Sequence, residues 1–498
     1  MIEASTPEPF GEWLPDAGEF ANPGSLVALN VITEGPLYKP FSESFPYTEP
    51  LPNECKGAFS VRDAMGNVTV FAGTRYGLFK LNGLAWEEVT RGVGTSVVPY
   101  TMSDEDFWVF VNFGSLIIAT NYVDDIQVFD MDSSTEFEQL SPTAPRCRHF
   151  FILKRFLICL DTVDSDGDVG YRVRWSPFND PQGDWTDDPT GTQADFQDLI
   201  GGGYSNTFGA EILDFGVIVQ GGRLWRMDYV GGDDIFAFTP LDVGRGSILT
   251  RSCIANGRSV FLLGEDGFYE YNGNFLDPIG DGKVDKTFYE MFDETYDYNL
   301  NVTIDPLKKN ILWAFPSRGT VGYTDKILCF NWVTRRFTLI EENSQLLFNY
   351  FSSGYNVDNV DGLFTSIELP PYSVDSRFWT GGKTLLGTFN TDGRLSTFSS
   401  APKTAILGTT EVRLNPSGRS VVHSVIPYIN GATCSARLGT RNRIKDASSY
   451  TAVAPENSLT GEIDFLHDAV FHRAEVTITG AWDVATAIAY RSQPSAGQ

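Results

Sequence analysis

Residues Gly73–Gly83 read GTRYGLFKLNG, and residues Gly264–Gly273 repeat the pattern as GEDGFYEYNG. Each copy follows a strongly apolar stretch, Val68–Ala72 in the first case and Val260–Leu263 in the second. The pattern predicts a strand, a glycine turn, a second strand and an Asn-Gly turn. Because Asn-Gly favours the left-handed geometry of a tight hairpin, the repeating unit is an antiparallel meander.

Four more apolar stretches have a related form with weaker residue identity: Phe107–Val111, Phe156–Leu160, Phe215–Val219 and Ile311–Phe315. Together with the first two they give six candidate inner strands, whose centres lie about 40 to 60 residues apart, the repeat length of a propeller blade. The sequence therefore predicts an all-β fold in which residues 52–400 form one irregular β-propeller. Six blades is the preferred count, five or seven are alternatives, and a pair of β-sandwiches is the alternative architecture.

The chain changes character near Ser399–Pro402, where the charge balance also shifts. Beyond this point apolar and polar residues alternate in several stretches, as in Ala474–Thr479 and Ser420–Tyr428. Alternation with a period of two is typical of half-buried strands. Residues 401–498 are therefore predicted to form a small antiparallel β domain.

Residues 1–51 are predicted to form an extended N-terminal arm. Four prolines and four glycines between residues 10 and 41 exclude a long helix or strand there. The same stretch is nevertheless rich in apolar side chains that have to be buried, among them Phe10, Trp13, Leu14, Tyr38 and Phe41. Either the arm lies as a strap over its own domain or it packs on a neighbouring subunit, and these five residues are the candidates for assembly contacts.

The formal net charge is -27, and it is unevenly distributed. Residues 401–498 hold nine basic and eight acidic side chains, whereas residues 1–400 hold 28 basic and 56 acidic ones. An acidic body is not expected to bind the outside of DNA, because that affinity comes from Lys and Arg side chains displacing counterions from phosphates. The charge serves either solubility through self-repulsion or a channel wall along which DNA passes without adhering.

No arrangement of residues in the sequence points to catalysis or to a cofactor. The nucleophile elbow, the phosphate-binding loop and the dinucleotide-binding fingerprint are all missing, and the four histidines have no metal-binding spacing. Six scattered cysteines without a CxxC pair do not suggest zinc, and Cys159 and Cys329 lie in strand patterns typical of small core residues. We expect a non-enzyme with no catalytic, cofactor-binding or metal-binding residues.

Two motifs have structural interpretations. Asp164–Asp168 resembles a calcium loop only superficially, because Val169 and Trp175 stand where an EF-hand needs Gly and Glu. It is predicted to be a hairpin tip, with a weak cation site at Asp161, Asp164, Asp166 and Asp168 as the alternative. Ser176–Trp185 resembles a loosened Asp-box, the structural turn of sialidase propellers.

The N-terminus lacks the basic and then apolar pattern of a signal peptide, and no apolar run is long enough to span a membrane. Scattered cysteines are most simply explained by assembly in a reducing cytoplasm.

Leu14-Pro15-Asp16, Asn22-Pro23-Gly24, Asn30-Val31-Ile32 and Tyr38-Lys39-Pro40-Phe41 resemble the start of bacteriophage tail proteins. The resemblance is to the nozzle, or packaged-DNA stabilisation, proteins of short-tailed phages, the podovirus tail hub. It covers about the first 40 residues and returns near the C-terminus, in Phe471–Val476 and Tyr490–Ser492. Between these ends only the pattern of strands and turns matches.

The resemblance implies a structural virion protein with a propeller body, assembled in the host cytoplasm as a homohexameric ring of the tail. The central channel of such a ring retains packaged double-stranded DNA and conducts it at ejection without binding it tightly. Its partners would be the tail adaptor, fibres or spikes, and a plug or needle. The residues of the DNA gate are not identified. Two alternatives stay open: a glycan-binding or glycan-hydrolysing propeller, and a fibre adaptor or tail-hub component of another phage type.

Overall fold

The computed structural model describes residues 3–18, 22–63, 66–92, 96–201, 204–232, 234–352 and 384–495. Nearly all of its regular structure is β-strand. The described helices are one α-helix, α1, at Asp285–Met291, and short 3-10 helices at Pro15–Ala17 and Glu294–Asn299. Among the residues described, no helix has both the length and the apolar character needed to cross a membrane.

The arm contains six short strands, each two to five residues long. Their bounds are β1 Glu3–Ala4, β2 Glu8–Pro9, β3 Ala28–Leu29, β4 Val31–Glu34, β5 Leu37–Pro40 and β6 Ser42–Pro46. The prolines and glycines keep each strand short, as expected, but the arm pairs with three different sheets. Residues 1–2 and 19–21 of the predicted arm lie outside the described residues.

From residue 55 the chain folds into four-stranded antiparallel sheets, one after another, which we name blades 1 to 7. The strands of blades 1 to 3 are β7 Cys55–Arg62, β8 Val68–Thr74, β9 Leu78–Asn82, β10 Ala85–Glu88, β11 Val109–Phe113, β12 Leu116–Thr120, β13 Gln127–Asp130, β14 Glu138–Gln139, β15 Arg146–Leu153, β16 Phe156–Asp164, β17 Gly167–Trp175 and β18 Asp195–Asp198. Those of blades 4 and 5 are β19 Asn206–Ile212, β20 Phe215–Gln220, β21 Arg223–Tyr229, β22 Phe236–Val243, β23 Ile254–Ala255, β24 Val260–Leu263, β25 Phe268–Tyr271 and β26 Leu276–Pro278.

Blade 6 follows α1 and contains β27 Asn301–Asp305, β28 Asn310–Phe315, β29 Thr324–Asn331 and β30 Arg336–Ser344. Blade 7 contains β31 Leu346–Phe351, β32 Thr384–Phe389 and β33 Leu395–Pro402, and its outermost strand is β6 from the arm. The first strand of each blade contacts the first strand of the next, and β31 contacts β7, which closes the ring. The molecule is therefore a β-propeller whose last blade is completed by the N-terminal part of the chain.

The ring has seven blades rather than the preferred six. All six apolar stretches singled out in the sequence fall in different blades, five of them in the second strand. Blade 7 was missed because its strands are not contiguous: β31 and β32 are separated by residues 352–383, and β6 comes from the other end of the chain. The propeller also reaches past the expected boundaries at 52 and 400, since it includes Ser42–Pro46 and ends at Pro402.

The repeat that predicted the blades is confirmed in its details. Val68–Thr74 and Val260–Leu263 are the second strands of blades 1 and 5. The turn after each strand is closed by the same hydrogen bond, from the Thr74 N–H to the Gly77 carbonyl and from the Gly264 N–H to the Gly267 carbonyl, both 2.8 Å.

Close contact between innermost strands explains one glycine on the inner wall. A Cβ atom at Gly57, on β7, would lie 2.4 Å from the carbonyl oxygen of Trp108 at the start of blade 2. Any larger residue would therefore push blades 1 and 2 apart.

The C-terminal part of the chain forms one further sheet and extends the sheet of blade 6, and these two sheets pack as a β-sandwich. Its strands are β34 Ala405–Gly408, β35 Ser420–Ile429, β36 Thr433–Arg441, β37 Ser449–Tyr450, β38 Ala454–Pro455, β39 Ile463–Ala469, β40 Phe471–Thr479 and β41 Ala485–Pro494. One sheet has the order β39-β35-β41-β5-β4, and β1 and β2 also pair with β41. The other is continuous with blade 6, in the order β30-β3-β34-β40-β36-β37.

The arm is thus the joint between propeller and sandwich. Strand β3 is parallel to β30 at Leu29 and Leu339, and antiparallel to β34 on its other side. The largest buried apolar cluster runs through this joint, and includes Trp313 of blade 6, Tyr38 of the arm and Tyr490 of the sandwich. The predicted small C-terminal β domain is present, but more than half of the strands of one of its sheets belong to the arm.

Candidate functional site

The five assembly candidates of the arm lie at this joint. Phe10, Trp13, Tyr38 and Phe41 are buried in their own chain, each at most 4% exposed. Phe10, Trp13 and Tyr38 belong to one core cluster, Phe41 lies in a neighbouring one, and Leu14 is half-buried. The strap over its own domain, the first of the two alternatives, accounts for four of the five side chains. These four side chains could contact another subunit only if they first left the core of their own chain.

Hydrogen bonds fix the anchors of the strap. The Tyr38 hydroxyl donates to the Gly11 carbonyl at 2.6 Å, and the Trp13 indole N–H donates to the Leu26 carbonyl at 3.0 Å. Both bonds join one part of the arm to another, so the arm folds on itself as well as on its neighbours. Burial raises the pKa of the Tyr38 hydroxyl, which stays protonated as the donor.

The arm also docks on the start of α1. The Asp16 carboxylate accepts hydrogen bonds from the Lys286 N–H at 2.8 Å and from the Thr287 N–H at 2.9 Å. The Lys283 ammonium forms an ion pair with Glu12 at 2.8 Å. Free N–H groups at the start of a helix are satisfied in this way by an acceptor from elsewhere in the chain.

Asp285, the first residue of α1, makes the stability of the folded protein depend on pH. Burial raises the pKa of its carboxyl to about 7, and the negative charges of Asp16, Asp281 and Asp266 add to the effect. The folded protein thus keeps this proton up to about pH 7, whereas the unfolded chain loses it near pH 4. Stability therefore falls as the pH rises through this window.

We expect Asp285→Asn to stabilise the protein at pH 8 by about 1 to 2 kcal/mol, since a carboxyl partly open to solvent suffers only part of the penalty. The amide oxygen can still accept the hydrogen bond from the Phe268 N–H. Denaturant unfolding at pH 8 and pH 4.5 measures the difference, which should nearly vanish at the lower pH. An equal gain at both values would contradict the raised pKa.

The two segments that carry the family resemblance meet in the sandwich. Phe471–Val476 lies in β40, and Tyr490–Ser492 lies in β41. The first residues of the arm pair directly with β41: the Ser5 N–H donates to the Tyr490 carbonyl at 2.8 Å. Sequence stretches from opposite ends of the chain thus form a single structural unit.

One hairpin of this unit exposes large apolar side chains. It runs from Glu456 to Ala469 and includes β39, the edge strand of its sheet. Leu459 at its tip is 93% exposed and Leu466 on β39 is 79% exposed. An exposed edge strand with apolar side chains is a common site of protein–protein contact.

A second feature is a cavity of about 360 Å³ on the propeller axis, lined mostly by aromatic and aliphatic side chains but also by Thr250, Asn301 and Thr303. Residues from the innermost strands of several blades line it, including Phe59, Phe110, Phe208 and Phe348. Arg251 and His149 are the ionisable side chains, other than cysteine, that line it. Arg251 comes from the connection between blades 4 and 5, just before β23.

The electrostatics of this cavity are unusual because it holds a cation without a carboxylate. The Arg251 guanidinium lies 5.2 Å from the centre of the Phe107 ring, and burial lowers its pKa to about 10. Burial, with the positive charges of Arg148 and Arg251, lowers the pKa of His149 to about 3, so the imidazole is neutral. Its Nε2 is buried, and within the described structure it has no hydrogen-bond partner.

Three of the four aspartates considered as a weak cation site pair with arginines, and Asp168 accepts a hydrogen bond from the Tyr122 hydroxyl at 2.9 Å. Asp164–Gly167 is a hairpin tip, as predicted. Arg172 contacts Asp164 at 3.1 Å and Asp166 at 2.7 Å, and Arg148 contacts Asp161 at 2.9 Å. In the described parts of the chain, no group of three or more His, Cys, Asp or Glu side chains is arranged to hold a metal ion.

The remaining motifs have structural roles. In the segment resembling an Asp-box, the buried Trp185 donates its indole N–H to the Pro181 carbonyl at 2.9 Å, which closes the turn. The six cysteines are all free and buried, so the expectation that Cys159 and Cys329 are core residues is confirmed. Burial raises the pKa of most of these thiols, that of Cys55 to about 12.

The comparisons with known proteins identify no family. No protein-family model matches the chain, and no curated protein matches it. Similar solved structures include the mitotic checkpoint complex, at 9% identity and a TM-score of 0.36, with 73% of this chain and 93% of that chain covered. PorZ, a bacterial surface component of the type-IX secretion system of Porphyromonas gingivalis, has 10% identity and a TM-score of 0.38, with 76% of this chain and 44% of that chain covered.

A computationally designed protein, Ika8, has 10% identity and a TM-score of 0.36, with 71% of this chain and 98% of that chain covered. These likenesses are too weak to carry an argument about function. None of the three indicates a phage tail nozzle.

Proposed function

We propose that the protein is a structural subunit of a bacteriophage tail. Six copies would form the nozzle-like ring that the resemblance implies, which retains genomic DNA and then releases it. Its partners are the tail adaptor on one side and fibres, spikes or a plug on the other, and it acts in the virion. The proposal gives it no catalytic role and no cofactor.

The observation that carries the proposal is the meeting of the two resembling segments in one domain. The first residues of the chain and its C-terminal strand pair directly, as in Glu3 with Ser492 and Glu8 with Ile488, at β1, β2 and β41. A resemblance restricted to such a pair of stretches follows a unit of structure rather than chance similarity of short peptides. That unit stands beside the propeller and is the natural place for a shared assembly contact.

The distribution of charge also supports subunit contacts through the C-terminal part of the chain. Residues 1–400 carry the whole surplus of negative charge, whereas residues 401–498 are nearly neutral. Acidic surfaces of identical subunits repel one another, so ring contacts are favoured where the charge is lowest. A negative inner wall would in turn let DNA pass without adhering.

We expect the double substitution Leu459→Glu and Leu466→Glu to shift the protein from rings to monomers, because it replaces the two most exposed leucines of the hairpin with charged side chains. Ile200→Glu is the matched control, since Ile200 is an exposed aliphatic residue, 75% exposed, on the propeller. Light scattering after size exclusion measures the mass, and micrographs of assembled particles show whether the protein is a six-fold ring at the tail.

A wild-type protein that is monomeric at all concentrations and missing from tails would sink the proposal. A ring that survives the double substitution but not Ile200→Glu would place the subunit contact on the propeller instead. A fibre adaptor or tail-hub component of another phage type would appear in micrographs at a different position or with different symmetry.

The glycan-active alternative needs an acid pair or an arginine cluster converging on the propeller axis. Among the described residues that line the axial cavity, none is Asp or Glu. The cavity has instead a single arginine in apolar surroundings, which favours a different kind of ligand.

A further inference from the structure

We propose that the axial cavity of the propeller binds a small monocarboxylate with a flat apolar body, and that Arg251 holds the carboxylate. The proposal is independent of the assembly role. It rests on the volume and lining of the cavity and on the ion pair that Arg251 does not make with any described residue.

The cavity is suited to a small organic molecule. Its volume of about 360 Å³ lies within the range of about 300 to 1,000 Å³ that is usual for ligand sites. The side chains around it are mostly aromatic or aliphatic, and the phenyl rings come from different blades: Phe59, Phe110, Phe208 and Phe348. Such walls favour a flat apolar ligand over a heavily hydroxylated one, whose hydroxyl groups would lose their hydrogen bonds to water.

Arg251 is the polar group that would orient the ligand. It makes no ion pair and no hydrogen bond with any described residue, and its one close contact is with the Phe107 ring. Two nearby groups could have neutralised it, but neither does. Glu54 is paired with Lys56 at 3.1 Å, and the Cys55 thiol is neutral because burial raises its pKa to about 12.

A half-buried guanidinium that no described side chain pairs favours the binding of an anion beside it. A carboxylate fits the planar fork of the guanidinium with two parallel hydrogen bonds. The neutral His149 ring lines the same cavity and adds no charge that would compete with the guanidinium for the carboxylate.

A monoanion fits better than a phosphate dianion. One guanidinium neutralises one negative charge, and a second would stay unpaired in an apolar cavity. Acidic side chains also lie at the end of the propeller from which Arg251 enters. Glu54 interacts electrostatically with Arg251, and Asp104 and Glu105 lie just before β11 in the equivalent connection. Their charges disfavour a highly charged ligand.

The test uses the full chain and four probes of defined chemistry. Benzoate has the proposed carboxylate and flat body, benzamide is its neutral analogue, N-acetylneuraminate carries a carboxylate on a hydroxylated body, and phenyl phosphate is a dianion. Titration calorimetry and ligand-observed NMR measure binding. We expect benzoate to bind at least tenfold more tightly than each of the other three.

Two variants assign the site. Arg251→Met, which keeps the apolar stem, is expected to weaken benzoate binding at least tenfold, and Arg251→Lys to weaken it several-fold, because an ammonium lacks the bidentate fork. The Met variant should melt at the same temperature as the wild type or higher, since it removes a half-buried charge that no described side chain pairs.

Three results would overturn the proposal. The first is no saturable benzoate binding at about 10 mM, a concentration at which weak fragments bind. The others are equal binding by the Met variant and tighter binding of the sugar acid or the phosphate. Unfolding of the Met variant would make Arg251 a structural residue and would equally refute it.

Discussion

Deletion of residues 1–41 is expected to unfold the C-terminal β-sandwich while most of the propeller stays folded. The deletion removes β1 to β5 and with them four strands of one sandwich sheet and the strand that joins blade 6 to the other sheet. It also removes Phe10, Trp13 and Tyr38 from the largest core cluster. Losing three buried aromatic side chains and a row of strand pairings exceeds the stability of an ordinary domain, about 5 to 15 kcal/mol.

The propeller should survive because its closing strand lies just beyond the deleted part. β6, at Ser42–Pro46, still pairs with β33 and completes blade 7. Hydrogen–deuterium exchange read by mass spectrometry distinguishes the two parts. Peptides from blades 1 to 5 are expected to stay protected, and peptides from β35, β40 and β41 to exchange rapidly.

Deletion of residues 1–7 is the control, since it removes only β1 and leaves the buried anchors in place. It should lower the protection of the sandwich slightly. Full protection of residues 405–494 in the larger deletion would show that the arm is not part of that domain. Impaired assembly would not by itself implicate the arm in subunit contacts, because the deletion also disrupts the sandwich.

The blade pattern could be predicted from sequence because it is local. A strand, a glycine turn and an Asn-Gly hairpin are encoded within about 15 consecutive residues, and the chain repeats that unit. The preferred number of blades was one too low because blade 7 is not encoded within one short stretch of sequence. Blade 7 takes its outermost strand from residues 42–46 and its inner strands from residues 346–402, and no short-range pattern connects the two.

The surface on which the arm packs could not be predicted for the same reason. Its composition showed that its aromatic side chains had to be buried, but not on what, because burial on another subunit and burial on the chain's own sandwich require the same residues. The axial cavity had no sequence signal. Arg251 stands in an ordinary turn, and its place in a cavity lined by no carboxylate among the described residues arises only when seven strands from distant parts of the chain converge.

The two alternatives for the arm predict different effects of Tyr38 substitutions on the stability of an isolated subunit. Its side chain is fully buried, its hydroxyl bonds to Gly11, and its backbone pairs with Ala485 of the sandwich. Tyr38→Ala is therefore expected to cost about 3 to 5 kcal/mol, the usual effect of truncating a buried aromatic side chain. Tyr38→Phe keeps the ring and leaves the Gly11 carbonyl unpaired, which costs about 1 to 2 kcal/mol.

Denaturant unfolding at protein concentrations low enough to give monomers measures both values. A strap stabilises its own chain, so the loss should be present in the monomer and independent of protein concentration. An assembly contact stabilises only the ring, so the monomer would then unfold like the wild type and the difference would grow with concentration. Because Tyr38 has no exposed surface and packs against residues of its own chain, we expect the first result, and the second would overturn the assignment of the arm as a joint.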